Sequence, residues 1–209
     1  MNDSQGRPKG RGSISRRAFL SGSGAAAAAT ALATQPLPTA AADEAAAGTP
    51  VAIGPGSIPI ELTVNGQKLS TKVEPRVTLL DALRNYLDVT GSKRVCDRGT
   101  CGACTVILDG RSVYSCSILA VEARGKQIKT AESLAGDQLD PVPAAFVKCD
   151  AQQCGFCTPG FVTAIRATLD KNPNATPAEV ADGVSGNICR CGTYEQMRHA
   201  IELLCRKGG

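Results

Sequence analysis

From Ile60 the chain alternates apolar and polar side chains, so that Ile60, Leu62 and Val64 fall on one face of an extended segment. Asn65-Gly66 follows, a dipeptide suited to a tight hairpin turn, and Lys68 to Val73 supplies the return strand. Thr78 with Asp81 three residues on resembles a capping box, after which Leu79, Leu80, Leu83 and Leu87 share one helical face. A second hairpin reads from Thr105-Val106-Ile107-Leu108, a turn at Asp109-Gly110 and a strand from Ser112 to Cys116, and Ile128 sits in a short last strand. Two hairpins crossed by one helix predict a small α+β domain over residues 59–133.

At Pro141 the apolar period changes from two to about 3.6. Val142, Ala145, Phe146 and Cys149 form one stripe, and Thr158-Pro159 caps a helix with Phe161, Ile165, Thr168 and Leu169 inward. Thr176-Pro177-Ala178-Glu179 marks another helix start, and Thr193 opens a last helix with Met197, Ile201 and Leu204 inward. Four helices with short links predict a bundle over 134–209.

The N-terminus changes how the rest is read. Residues 1–17 carry five basic groups against one acid, and residues 18–42 carry no charge, the layout of an export signal. Ser15-Arg16-Arg17-Ala18-Phe19-Leu20 matches the twin-arginine pattern, and Ala40 to Ala42 offers a small-residue cleavage site. A twin-arginine signal over 1–42 and a flexible Ala-, Gly- and Pro-rich linker over 43–58 are expected, with a periplasmic destination. The apolar run is interrupted by Ser and Gly, so no stable membrane span is expected. Of 23 basic and 19 acidic residues, the chain beyond residue 42 keeps 18 of each, and no basic run with interleaved aromatics points to nucleic acid. Only 3% of the residues are aromatic and none is Trp, so the cores are small and aliphatic and something besides burial helps hold them.

Ten cysteines in an exported chain first suggest disulfides. Export in the folded state favours metal instead, because thiols capped in the reducing cytoplasm never meet an oxidant bare. Eight of the ten fall into two sets. Cys96-x4-Cys101-x2-Cys104-x11-Cys116 has the plant-type ferredoxin spacing of a 2Fe-2S centre. The second set is Cys154-x2-Cys157, then 31 residues, then Cys189-x-Cys191. A two-iron centre takes two thiolates on each iron under a wrap of backbone, and Gly99 and Gly102 would let loop N–H groups approach it. Zinc competes, although four-Cys zinc sites usually pair two Cys-x2-Cys knuckles and each set here has one. Cys189 and Cys191 stand too close to bridge one another comfortably. No βαβ pattern around Cys154-x2-Cys157 suggests a thioredoxin-like site.

Cys149 and Cys205 lie on apolar helix stripes and read as buried, inert thiols. His199 is mid-helix, and no nucleophile–base set, phosphate loop or carboxylate motif is found, so relay rather than catalysis is expected of this chain. Arg98 and Arg190 lie inside the cysteine motifs, where a cation would raise the potential of an anionic centre.

The two motifs in this order, with "QCGFCTPG" and "GNICRCGTY" in the second, resemble the small iron–sulfur subunit of the xanthine dehydrogenase and aldehyde oxidoreductase family of molybdenum hydroxylases over about residues 58–205. With the twin-arginine leader, the chain is similar in particular to the iron–sulfur subunit of periplasmic aldehyde oxidoreductases. The resemblance implies an N-terminal β-grasp, ferredoxin-like domain followed by a four-helix-bundle domain, each with a 2Fe-2S cluster. It implies a heterotrimer in which electrons leave a molybdopterin (Mo) site on a large subunit. They pass to the cluster on Cys154, Cys157, Cys189 and Cys191, then to that on Cys96, Cys101, Cys104 and Cys116, and then to FAD on a third subunit. It further implies that Gln153 and Cys191 lie against the pterin. The alternatives are a free two-cluster ferredoxin and a zinc- or disulfide-stapled binding protein with no redox role.

Overall fold

Both hairpins form where the alternation predicts them. Strand β1 (Ile58–Val64) pairs antiparallel with β2 (Gln67–Val73), Ile58 opposite Val73 and Val64 opposite Gln67. Strand β3 (Thr105–Leu108) pairs with β4 (Arg111–Tyr114), Thr105 opposite Tyr114. The computed structural model describes Arg17 and residues 54–136 and 138–206. By backbone contacts the chain divides into Met1–Val51 and Ala52–Gly209, and every element named here lies in the second unit. Apart from Arg17, the expected signal over 1–42 falls outside the described residues, as does the linker up to residue 53.

The turn residues do more than reverse the chain. Asn65 and Gly66 (φ 51° and 81°) and Asp109 and Gly110 (φ 46° and 79°) take the left-handed backbone that such turns need. Asn65 then accepts from the Thr130 N–H with Oδ1 and donates to Thr130 Oγ1 with Nδ2, both at 2.9 Å. Asp109 Oδ1 accepts from the Gln127 N–H at 2.9 Å. Between these two grips lies β5 (Gln127–Lys129), parallel to β1 and antiparallel to β3, so the sheet runs β2-β1-β5-β3-β4.

Helix α1 (Leu79–Asp81) runs on into a π-helical turn, Ala82–Tyr86, closed by the Leu87 N–H on the Ala82 carbonyl at 3.1 Å. Thr78 Oγ1 accepts from the Asp81 N–H at 3.1 Å, but only half the expected capping box forms, since the Asp81 carboxylate pairs with Arg94 instead. Leu79, Ala82 and Leu83 pack with Ile60, Leu62, Val64, Val106 and Leu108 in one aliphatic core. Leu80 turns the other way, onto Cys104 and Cys116. Strand β4 stops at Tyr114, so Cys116 sits on a 3₁₀ turn (Ser115–Ser117) and not on the strand expected to Cys116. The cause is Ser115, whose N–H and Oγ both donate to the Cys104 carbonyl, at 3.3 and 2.8 Å, and pull the chain out of the ladder.

Four helices share a second core: α2 (Pro141–Lys148), α3 (Thr158–Lys171), α4 (Pro177–Gly183) and α5 (Tyr194–Cys205). Asp140 caps α2 through the Val142 N–H at 2.8 Å, and Thr176 and Glu179 form the full capping box of α4. At α3 the cap position belongs to Cys157, with no side-chain bond, and Thr158 is already helical. Helix α3 also buries far more than the one predicted stripe: Gly160 to Ile165, Ala167 and Leu169 are all buried. It lies between the other helices and β3, and all four β3 residues are buried in consequence. Among the described residues no helix is long and apolar enough to cross a membrane.

Candidate metal centres

The first cysteine loop is pinned at both ends before it reaches a thiol. Arg84 Nη1 donates to the Thr90 and Ser92 carbonyls at 2.7 and 2.9 Å, and the Lys93 N–H to the Ala103 carbonyl at 3.1 Å. Between those points Gly99 and Gly102 take φ of 70° and 69°. The Gly99 N–H donates to Cys116 Sγ at 3.2 Å, and the Thr100 N–H to Cys96 Sγ at 3.4 Å. Gly102 works differently: its carbonyl accepts from Asn187 Nδ2 at 2.9 Å and from Thr105 Oγ1 at 2.6 Å. A Cβ on Gly102 would stand 2.7 Å from the Asn187 side chain. Arg98 Nε bonds back to the Cys96 carbonyl at 3.1 Å.

The second set is assembled at the head of the helical core. Cys157 starts α3, while Cys189 and Cys191 lie on the turn before α5, with Gly192 at φ 83°. Cys189 is buried, Cys157 half-buried, and Cys154 and Cys191 are exposed. Phe156 and Ile188 beside them are 51% and 49% exposed, so apolar surface surrounds the open side of this set. Gln153 is exposed and lines a cleft with Phe146, Val147, Gln152, Thr158 and Pro159. Arg190 and His199 are exposed, and His199 faces Glu195 at 3.4 Å. Cys149 and Cys205 are half-buried against the helical core rather than fully buried as expected.

Within each set the thiols meet in pairs: Cys96 with Cys101 and Cys104 with Cys116, then Cys154 with Cys191 and Cys157 with Cys189. Among the described residues no three Cys, His, Asp or Glu side chains close around one point, as a single metal ion requires. Two pairs per set suit a two-iron centre, which takes two thiolates at each end, and the N–H donors on Cys96 and Cys116 suit its anionic sulfur. Burial resists ionisation of Cys96, yet the N–H groups of Arg98 and Thr100 bring it down to about 6. Burial pushes Cys104 up to about 11 and Cys157 to about 12, each helped by its paired thiol. Cys189 is buried too, but the Thr193 hydroxyl and N–H, the Cys157 thiol and the Gly192 N–H hold it near 7. Burial and the paired thiol thus oppose ionisation of Cys104 and Cys157, a cost that a cationic centre between the thiols would offset.

The two loops are joined directly. Asn187, 6% exposed, reaches Gly102 O and, at 3.3 Å, Thr105 Oγ1, while the Ile188 N–H donates to the Cys101 carbonyl at 2.9 Å. A Cβ on Gly160 would stand 2.3 Å from the Gly102 oxygen, and one on Gly186 2.0 Å from the Tyr114 hydroxyl, so glycine permits the close approach to the first half at these two positions. Gly160 ends "QCGFCTPG" and Gly186 and Asn187 begin "GNICRCGTY", but nothing in the spacing assigns these three residues to a contact between the loops.

Residues 62–135 match the 2Fe-2S iron–sulfur cluster binding domain family, and residues 130–202 match a second 2Fe-2S binding domain family. The chain is 42% identical over 174 residues to the aldehyde oxidoreductase iron–sulfur-binding subunit PaoA of Escherichia coli, covering 75% of this chain and 76% of that one. It is 42% identical over 144 residues to the nicotine 6-hydroxylase small subunit of Paenarthrobacter nicotinovorans, 69% of this chain and 87% of the relative. Among solved structures, a chain of quinoline 2-oxidoreductase from Pseudomonas putida 86 aligns with TM-score 0.67 at 42% identity, over 70% of this chain and 91% of that one. The aldehyde oxidoreductase of Desulfovibrio gigas aligns with TM-score 0.67 at 37% identity, and there the match covers 71% of this chain and 17% of that longer chain.

Proposed function

The chain belongs to the iron–sulfur small subunits of the molybdenum hydroxylases of xanthine dehydrogenase and aldehyde oxidoreductase type, and from that premise we propose that it is the electron-transfer subunit of an exported aldehyde oxidoreductase. Residues 59–133 are read as a β-grasp, ferredoxin-like domain and 134–209 as a four-helix domain, each holding one 2Fe-2S centre on its own four cysteines. When bound, such a centre takes up and passes on single electrons. This chain's residues hold the thiols in pairs, aim N–H groups at their sulfur, keep water from Cys104, Cys116 and Cys189, and fix the two loops to each other.

The observation that carries the reading is the gathering of eight cysteines into two sets of two thiol pairs, with Ile188 bonded to Cys101 between them. Exposed Gln153, Cys154 and Cys191, flanked by Phe156 and Ile188, form the face given to a large molybdopterin subunit, with Gln153 and Cys191 toward the pterin. The Cys96 side, where Val95 is 55% exposed, is given to an FAD subunit, completing a heterotrimer. Aldehydes are favoured as substrate by the twin-arginine leader together with the likeness to the aldehyde oxidoreductase subunit, and N-heteroaromatic compounds are the alternative. A periplasmic destination by the twin-arginine route is supported by Arg16-Arg17 and the uncharged run after them.

Affinity purification of the full chain from its native host tests this. A large partner, with iron and molybdenum in the complex and bleaching of its visible absorption by an aldehyde, is expected. A chain that purifies alone with both centres supports the free ferredoxin instead. Replacing Arg16 and Arg17 by Lys is expected to trap the protein in the cytoplasmic fraction, and unchanged periplasmic recovery would reject the twin-arginine assignment.

A further inference from the structure

Thr193 stands at the N-cap of α5, where a Thr side chain ordinarily accepts from a backbone N–H of the first turn. It makes no such bond. Its Oγ1 lies 3.2 Å from Cys189 Sγ instead, and the residue is 2% exposed, so water does not compete for either atom. The next side chain acts on the same cysteine: Tyr194 Oη accepts from the Cys189 N–H at 2.8 Å and donates to the Cys189 carbonyl at 3.2 Å. Its ring packs edge-on against Phe161 of α3, with centroids 6.4 Å apart, so the hydroxyl is held in place. The first set has one hydroxyl at a sulfur as well, but at longer range: the Ser117 Oγ is 3.7 Å from Cys116 Sγ.

A thiolate that ligates iron carries no proton, so in a Thr193–Cys189 contact the hydroxyl must be the donor. A donor on ligand sulfur stabilises the electron-rich, reduced state of a centre more than its oxidised state. We infer that Thr193 is the side chain that sets the potential of the second centre, donating to Cys189 sulfur, and that Tyr194 is the positioning residue that holds the Cys189 peptide so that this bond forms. The inference rests on the 2Fe-2S reading of Cys154, Cys157, Cys189 and Cys191.

The test is an EPR-monitored redox titration of the full chain as wild type, Thr193→Val, Thr193→Ser and Tyr194→Phe. Thr193→Val keeps the shape and loses the hydroxyl, and it is expected to lower the midpoint potential of the second centre while leaving the first unmoved. Thr193→Ser is expected to restore it, and Tyr194→Phe to shift the same centre in the same direction by less, with a change in its g-values. If Thr193→Val does not load the second centre and Thr193→Ser does, the hydroxyl is still placed at the sulfur. Equal potentials in wild type and Thr193→Val overturn the inference and leave the 2Fe-2S reading standing. A wild-type chain with no second EPR signal overturns both.

Discussion

The Ile188 N–H donates to the Cys101 carbonyl at 2.9 Å, so a residue adjoining a cysteine of the second set is bonded to a cysteine of the first. Peptide groups join the two loops here without a side chain between them. Beside this bond Asn187 adds its own, to Gly102 O at 2.9 Å and Thr105 Oγ1 at 3.3 Å, in a site closed to water. Relative placement of the two centres therefore depends on a short segment, Gly186-Asn187-Ile188.

Asn187→Leu removes two buried hydrogen bonds, while the Gly102 carbonyl keeps the Thr105 hydroxyl and N–H as donors. A loss of about 1–3 kcal/mol is expected, read as a lower urea midpoint at an unchanged slope. The weak magnetic interaction between the two reduced centres should also change, because their separation is no longer fixed. Wild-type stability and spectra in this variant would contradict the role given to Asn187.

Gly160→Ala should cost more than its single methyl suggests. The new Cβ would stand 2.3 Å from the Gly102 oxygen and 3.0 Å from Ala103 Cα, both backbone atoms that cannot swing aside. Helix α3 must move off the first loop, at about 1–3 kcal/mol or more, and thermal unfolding should fall accordingly. Gly110→Ala is the control: no atom lies within 4 Å, and only the left-handed backbone at φ 79° is penalised, by about 1 kcal/mol.

Acid stability should depend on the α4 cap. The Thr176 N–H and hydroxyl hold Glu179 below the usual carboxylate range, with Oε2 at 2.7 and 2.8 Å from them. A carboxylate whose folded pKa is depressed adds stability above its unfolded pKa and loses that contribution as pH falls through the folded value. Below about pH 5 the wild-type unfolding free energy should therefore fall more steeply than that of Glu179→Gln. Parallel acid limbs for the two proteins would show that the cap adds nothing to the pH dependence.

Much of this was legible in the sequence, for identifiable reasons. The Asn65-Gly66 and Asp109-Gly110 turns and the strands beside them follow from local backbone and alternation. Thr176 and Glu179 announce their box by spacing alone. The place of β5 was not legible, because three residues with one apolar side chain carry no pairing signal, and its partners β1 and β3 and the flanking grips of Asn65 and Asp109 come from elsewhere in the chain. Thr158 and Thr193 mislead for a related reason. Helix-start chemistry predicts caps at both, while tertiary contacts give the first cap position to Cys157 and turn the Thr193 hydroxyl to sulfur. The cysteine spacing predicted both sets, but not that Cys116 lies on a turn or that α3 is enclosed on most sides, since both depend on what packs alongside.

The central claim is two separate 2Fe-2S centres, one per cysteine set, and low-temperature EPR of the reduced full chain with metal analysis tests it most directly. Two distinguishable signals are expected in the wild type. Cys101→Ser should remove the signal of the first set and leave the second, and Cys157→Ser should do the reverse. Zinc in place of iron, or both signals surviving in Cys101→Ser, would contradict it.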